Sequence, residues 1–199
     1  MALLIEKKKA EKRKRLLDAA YSCFIQEGVS GASIARICDK AKIAKGTFYL
    51  YFKDKEDICK ALNLRLSYGL LEDAYQWMEK HRADTFTENC ILMAERIISR
   101  FESDGDLLTL LRRDFTWPAS RNDILKSTDD LMISLRTSIN LHAEHTHQTL
   151  DHLVDQLFAL TGMIATASYS SIIDQYPCPM NEFKPVLYDI IRRTLNAEV

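Results

Sequence analysis

Apolar residues recur along this chain three and four positions apart, the interval at which side chains share one face of an α-helix. From about Lys7 to Glu27 the stripe is Leu16, Leu17, Ala20, Phe24 and Ile25, and Gly28 is the expected C-terminal stop. Ser33 can then cap a short helix with Ile34, Ile37, Cys38 and Ala41 at i, i+3, i+4 and i+7, a stripe that Lys42-Ile43-Ala44 cannot continue. A second short helix is expected from Lys45 through Tyr51, with Phe48 and Phe52 one turn apart and facing inward. Asp54, with Asp57 three residues on, forms an approximate capping box for a long helix to about Lys80 through Ile58, Leu62, Leu66, Leu70 and Trp77. Further helical periods follow over about 85–103, 106–116, 120–141, 148–174 and 182–196, broken at Trp117-Pro118 and at Tyr176-Pro177-Cys178-Pro179. The pattern predicts an all-α fold of about nine helices and no sheet.

Two short helices joined by a tight turn and backed by an apolar first helix describe a helix-turn-helix on a three-helix support. That places an N-terminal domain over residues 1–52 and a helical C-terminal domain over 53–199, linked by the helix of about 54–80. Composition agrees: 47% hydrophobic and 28% charged residues, with only 6 Gly and 4 Pro in 199 residues, match a globular protein and leave too few turn residues for a strand-dense barrel. No run approaches the ~20 apolar residues that span a bilayer. Five cysteines, an odd number without CxxC spacing, argue against a disulfide framework or a zinc finger. Reduced thiols and a cytoplasmic location are the expectation, with no membrane partner and no cofactor.

Charge divides the picture further. The formal net charge is only -1, but residues 1–65 hold 15 Lys+Arg against 8 Asp+Glu, a net of +7, and the remainder holds 12 against 20, a net of -8. The basic part suits a polyanion and the acidic part avoids one. Lys7, Lys8, Lys9, Lys12, Arg13, Lys14 and Arg15 open the first helix as an arm that reaches phosphates. Gly46 lets backbone approach a phosphate near a helix N-terminus, where free N–H groups favour anions. Thr47 and Tyr49 offer hydroxyls on the outer face opposite Phe48 and Phe52, and Tyr51 and Lys55 flank them. Lys55 also opposes the dipole of the next helix, a conflict a phosphate would relieve.

The segment Lys45-Gly46-Thr47-Phe48-Tyr49-Leu50-Tyr51-Phe52-Lys53-Asp54-Lys55 resembles the DNA-binding region of the tetracycline-repressor (TetR) family of bacterial regulators. The likeness extends back through Gly31-Ala32-Ser33-Ile34-Ala35-Arg36-Ile37-Cys38 and covers about residues 10–62. The resemblance implies that Lys45, Thr47, Tyr49, Tyr51 and Lys55 contact DNA, mostly its backbone, and that Ser33 is a phosphate-binding cap. It also implies a homodimer on a palindromic double-stranded operator, repression, and release by a small-molecule effector. Two positions depart from the family pattern. Lys42 stands where Gly is usual, which offers a phosphate contact but strains the backbone if φ is positive, and Ala44 replaces the Ser that usually caps the recognition helix.

In the C-terminal part Tyr75, Trp77, Phe101, Phe115, Trp117, Met132, Phe158 and Met163 are candidate cavity residues, and Phe101, Phe115, Trp117, Met132, Phe158 and Met163 are taken as the effector site. The net of -8 and this apolar lining together suggest an apolar or cationic effector. Leu150, Leu153, Leu157, Leu160 and Ile164 beside Gly162, Ala165 and Ser168, with Val186, Ile190, Ile191 and Leu195 on the last helix, are the expected dimer face. A competing reading takes His142, His145, His147 and His152 with Glu144 or Asp151 as a metal-dependent hydrolase. Without HExxH spacing, the metal-site expectation is none and the chain is expected not to be an enzyme.

Overall fold

Short polar side chains start six of the nine helices among the described residues, 2–113 and 127–196, of the computed structural model. In chain order the helices are α1 (Ala2–Gly31), α2 (Ile34–Ala41), α3 (Lys45–Phe48), α4 (Lys55–Lys80), α5 (Phe86–Ser103), α6 (Gly105–Arg113), α7 (Asp130–His145), α8 (Leu150–Ile172) and α9 (Met180–Leu195). No strand occurs among the described residues. Ser33, Thr85, Asp129 and Thr149 each accept a backbone N–H from the first turn that follows, which satisfies donors the helix leaves open. The capping box of α4 is reciprocal: Asp57 N–H donates to Asp54 at 2.8 Å, and Lys53 N–H donates to the Asp57 carboxylate at 2.9 Å. Gly28, at φ 71° and ψ 161°, ends the regular winding of α1 at the expected stop. Residues 114–126, where the expected helices of 106–116 and 120–141 end and begin, lie outside the described residues.

The chain forms two compact units, Met1–Arg65 and Leu66–Val199, that divide inside α4. The opening turns of α4 belong to the first unit because Lys55 and Arg65 are fastened there. The Lys55 ammonium donates to the Ser30 and Ala32 carbonyls at 3.1 and 3.0 Å, and Arg65 pairs with Asp18 at 2.7 Å. In this unit α1 packs on α2, and Leu16, Leu17, Ala20, Phe24, Ile37, Phe48, Ile58 and Leu62 are buried. Each such side chain removed from water contributes roughly 1.5–3 kcal/mol against the entropy of ordering the chain.

The second unit has a main core that joins α5, α7, α8 and α9 to Leu71, and a smaller core of Leu70, Phe101, Leu107, Leu108 and Leu111. Two expectations change here. Trp77 is not core: it is 38% exposed, with His81 stacked on it and the Arg96 guanidinium, gripped by Asp73 at 2.8 and 2.9 Å, lying 4.9 Å from its ring. Leu153, Leu160, Ile164, Ile191 and Leu195, expected on a dimer face, are buried in the subunit's own core, whereas Phe158 and Val186 on the same two helices are exposed. No described helix is long and apolar enough to cross a membrane. All five cysteines are free thiols.

Candidate nucleic-acid interface and effector cavity

The helix-turn-helix is built from the inside outward. Ile37, Cys38 and Ala41 bury one side of α2, Ile43 buries the middle of the turn, and Phe48 and Phe52 bury the recognition segment. Between them Lys42 adopts the left-handed conformation, φ 53° and ψ 49°, and its N–H returns to the Asp39 carbonyl at 3.2 Å. A side chain in that region costs energy that glycine avoids, so the departure at Lys42 is a real strain. Arg15 of α1 offsets part of it by donating to the Ala41 carbonyl and, at 3.1 Å, to the Lys42 carbonyl. Ala44 makes no side-chain cap, and α3 ends at Phe48 instead of the expected Tyr51. From there the backbone winds more tightly, through Leu50 N–H to Thr47 at 3.2 Å and Tyr51 N–H to Phe48 at 2.9 Å.

The outward face presents Lys45, Gly46, Tyr49 and Leu50, while Thr47 and Tyr51 are half-buried. Phe48 holds this orientation, fully buried with its ring edge-on to Tyr49 at 5.4 Å. A Cβ on Gly46 would meet nothing within 4 Å, and its φ is not positive, so the protein's own packing does not require glycine there. Glycine inside a helix costs about 1 kcal/mol relative to alanine. Its use on an open face suits close approach by something outside the chain. Lys42 and Lys45 are exposed and enter no ion pair among the described residues, whereas Arg36 is paired with Glu27 at 3.1 Å. Ser33 accepts the Arg36 N–H at 3.2 Å, which leaves its hydroxyl hydrogen to donate outward. Lys55 differs from the sequence expectation. Its ammonium is spent on the carbonyls that end α1, so the conflict with its own helix dipole is relieved inside the protein.

The second unit encloses a cavity of about 540 Å³. Its walls are mostly apolar: Leu71, Tyr75 and Met78 of α4, Cys90, Met93 and Ile97 of α5, Met132, Leu135 and Ile139 of α7, and Leu157, Leu160 and Ile164 of α8. Exposed Arg82, Asp84 and His145 stand at its rim. At one end α9 is tied down three times, by Arg192 to Glu88 at 2.7 and 3.1 Å, by Thr87 to Asn196 at 2.7 Å, and by the His142 Nε2 hydrogen bond to the Leu195 carbonyl at 2.9 Å. The Arg192 guanidinium holds the Glu88 carboxyl below its ordinary value. Cys90 is accessible only in part because it faces the cavity while protein surrounds it, and burial pushes its thiol up to about 12. It is a protonated, apolar wall.

Of the six residues expected to hold an effector, Met132 lines this cavity. Phe101 is buried in the smaller core, Phe158 is 61% exposed, and Met163 lines a shallower groove of about 460 Å³ between α8 and α9. Phe115 and Trp117 lie outside the described residues. Tyr75, also named as a candidate cavity residue, lines the cavity too; most of the remaining lining is not singled out by the sequence, although Leu71 and Met78 flank Tyr75 at four and three residues. The hydrolase alternative finds no support. His142 stacks on Phe86, His145 stands at the cavity rim, His147 occupies a turn at φ 55°, and His152 contacts Gln156. No group of three or more His, Cys, Asp or Glu among the described residues is arranged to hold a metal.

Comparison with known proteins fits this division. The family described as "Bacterial regulatory proteins, tetR family" matches residues 16–62, the first unit less its basic arm. The fatty acid metabolism regulator protein of Bacillus subtilis (strain 168) is 28% identical over 141 residues, 66% of this chain and 69% of that protein. Among solved structures, a TetR family transcription regulator from Marinobacter aquaeolei VT8 has the same fold, with a TM-score of 0.61, 14% identity and coverage of 95% of this chain and 97% of that one. The regulator FadR from Bacillus subtilis, solved in complex with stearoyl-CoA, has a TM-score of 0.59 and 16% identity and covers 89% and 96%. With the helix-turn-helix geometry and the matched segment in agreement, residues 16–62 carry the DNA-binding region of the tetR family of bacterial regulatory proteins, and the chain as a whole has the fold of TetR family transcription regulators.

Proposed function

We propose that this regulator is a homodimeric repressor that leaves a palindromic operator when an amphipathic small molecule fills the cavity of its second unit. The observation that carries the effector half is the cavity itself, mostly apolar within and rimmed by Arg82, Asp84 and His145. A long apolar body suits the walls and a polar head suits the rim. The sequence expectation of an apolar or cationic effector was drawn from the net charge of the whole C-terminal part. Local charge matters more at a rim, where a cation and a histidine stand beside a single carboxylate. The FadR complex with stearoyl-CoA supports an acyl chain with an anionic head as the first candidate.

On the DNA side, Lys42, Lys45, Gly46, Thr47, Tyr49 and Ser33 form the contact surface, and Tyr51 flanks it. Lys55 supports that surface from behind. For the dimer, the exposed large apolar side chains on α8 and α9 are Phe158 and Val186, with exposed Gly162 one turn beyond Phe158. An isologous pair of such faces presents two recognition segments to half-sites about one DNA turn, roughly 34 Å, apart.

The test is a titration of stearoyl-CoA, and of acyl-CoAs of shorter chain, into the complex of the protein with a duplex it has selected from a random library. DNA should be released, with shorter chains less effective, and DNA should weaken acyl-CoA binding by the same factor, typically about 5–150-fold. Saturable acyl-CoA binding that leaves DNA affinity untouched would separate cavity from operator. A strictly monomeric mass at micromolar concentration would remove the dimer, and Phe158→Glu should produce such a monomer.

A further inference from the structure

We propose that the exposed opening turns of α1 form a second DNA-backbone site, continuous with the helix-turn-helix, in which Lys8 and Lys12 extend the line begun by Arg15. The inference rests on the reading that the first unit binds DNA, and goes beyond the matched segment, which begins only at residue 16. From Leu4 to Arg15 every side chain is exposed, although the backbone is helical from Ala2. This stretch holds Lys7, Lys8, Lys9, Lys12, Arg13, Lys14 and Arg15 against Glu6 and Glu11. With seven cations against two acids, much of its internal electrostatics is repulsive. Lys8 and Lys12, and Lys9 and Arg13, are like charges one turn apart, and the first turn carries no acid to meet the helix dipole. No apolar face of this stretch is buried in compensation. A polyanion turns each of these terms favourable.

Position supplies the second, independent argument. The base of the arm is fastened at both ends of the recognition segment. Arg15 donates to the Ala41 and Lys42 carbonyls at its entrance, and the Arg13 guanidinium lies 5.4 Å from the Phe52 ring at its exit. Residues three, four and seven apart share a helix face, so Arg15, Lys12 and Lys8 form one line that leaves the α2–α3 turn, and Lys9 stands beside it, one turn from Arg13. Lys7 and Lys14 fall on the opposite side of the helix from the buried residues Leu16 and Ala20. At about 1.5 Å per residue the line from Arg15 to Lys8 is roughly 10 Å long, which on one strand spans about three phosphates at ~3.4 Å of axis each. Lysine ammoniums are point charges without base-edge geometry, so the site is independent of sequence.

The experiment measures binding of the full chain to its selected duplex and to a scrambled duplex across a range of KCl concentrations. In the variant Lys8→Gln/Lys9→Gln/Lys12→Gln the slope of log affinity against log salt should fall in magnitude by about 2–3, at about 0.9 per lost contact, and equally on both duplexes. Specificity between the duplexes and the melting curve should stay unchanged. Lys7→Gln/Lys14→Gln should lower the slope by less, and replacing Lys8, Lys9 and Lys12 by Arg should restore it. An unchanged slope in the triple Gln variant, with Lys45→Ala still lowering it, overturns the arm alone. A wild-type chain that binds neither duplex overturns the DNA reading and this proposal with it. Loss of binding to phosphatidylglycerol vesicles with no change in the DNA slope would assign the arm to a lipid surface and overturn the proposal.

Discussion

Replacing Lys42 with glycine should make the protein more stable and a weaker DNA binder at the same time. Lys42 sits at φ 53° and ψ 49°, where its Cβ crowds the following carbonyl. That conformation costs a non-glycine residue about 1–2 kcal/mol, and glycine returns about 0.5–1 kcal/mol of this through its freer unfolded chain, for a net gain of roughly 0.5–1 kcal/mol. The bonds from Arg15 and the turn bond to Asp39 use backbone atoms of residue 42 and survive the change. For a unit of this size the gain corresponds to a rise of roughly 3–6 °C in midpoint. Both tryptophans lie beyond the first unit, so the transition is best followed by hydrogen exchange at the Ile37 and Ile43 amides, which bond to Ser33 and Cys38 at 3.0 Å. On DNA, the loss of one exposed cation should reduce the salt slope by about 0.9. Faster exchange at those amides in Lys42→Gly would refute the strain argument, and an unchanged slope would take the Lys42 side chain out of the interface.

Three further outcomes follow from the same geometry. Phe48→Ala should cost about 3–5 kcal/mol and unfold the first unit, because the ring is fully buried, whereas Tyr49→Ala, half-exposed, should lower DNA affinity with little change in melting; thermal melts read beside DNA titrations check the pair. Lys55→Ala should cost about 1–3 kcal/mol through two lost charge-assisted bonds at a partly exposed site, with little change in salt slope; a full unit of slope lost without destabilisation would return Lys55 to the DNA surface. Tyr68 donates to Asp129 at 2.6 Å, and that bond with burial raises its hydroxyl to about 12. The stability it contributes is therefore complete below pH ~10 and lost as pH rises from there through about 12. Tyrosinate absorbance should lose its highest-pH step in Tyr68→Phe, and an unaltered alkaline titration would show that the bond does not form in solution.

Much of the fold was legible because helix ends announce themselves. Ser33, the Asp54 and Asp57 pair, and Gly28 all act at the places their chemistry suggested. The stripe of α4 was legible as well, had the four-residue step been continued: Ile58, Leu62 and Leu70 lead on to Ala74 and Met78, both buried, and not to Trp77. Phe158 could have been set aside on the same ground, since it lies about 140° around α8 from the mean direction of Leu153, Leu160 and Ile164 at 3.6 residues per turn. The short α3 was harder to foresee. A missing cap at Ala44 was visible, but its effect on length depends on how Phe48 and Phe52 pack. The cavity was least legible, because periodicity says which side chains point inward and is silent on whether the space they enclose is filled. Lys55 was misread for a related reason: a lysine in a first helical turn has a conflict to resolve, and only the three-dimensional path of α1 shows that the Ser30 and Ala32 carbonyls resolve it.

The thiol of Cys90 gives the cavity a built-in clock. A sulfur that stays protonated near neutral pH and opens only onto an internal space reacts with an alkylating reagent no faster than the walls around it admit the reagent. Its labelling rate therefore counts openings of the cavity. Protection by a bound compound reports occupancy site by site, without DNA, without a chromophore, and without knowing in advance which genes the regulator governs.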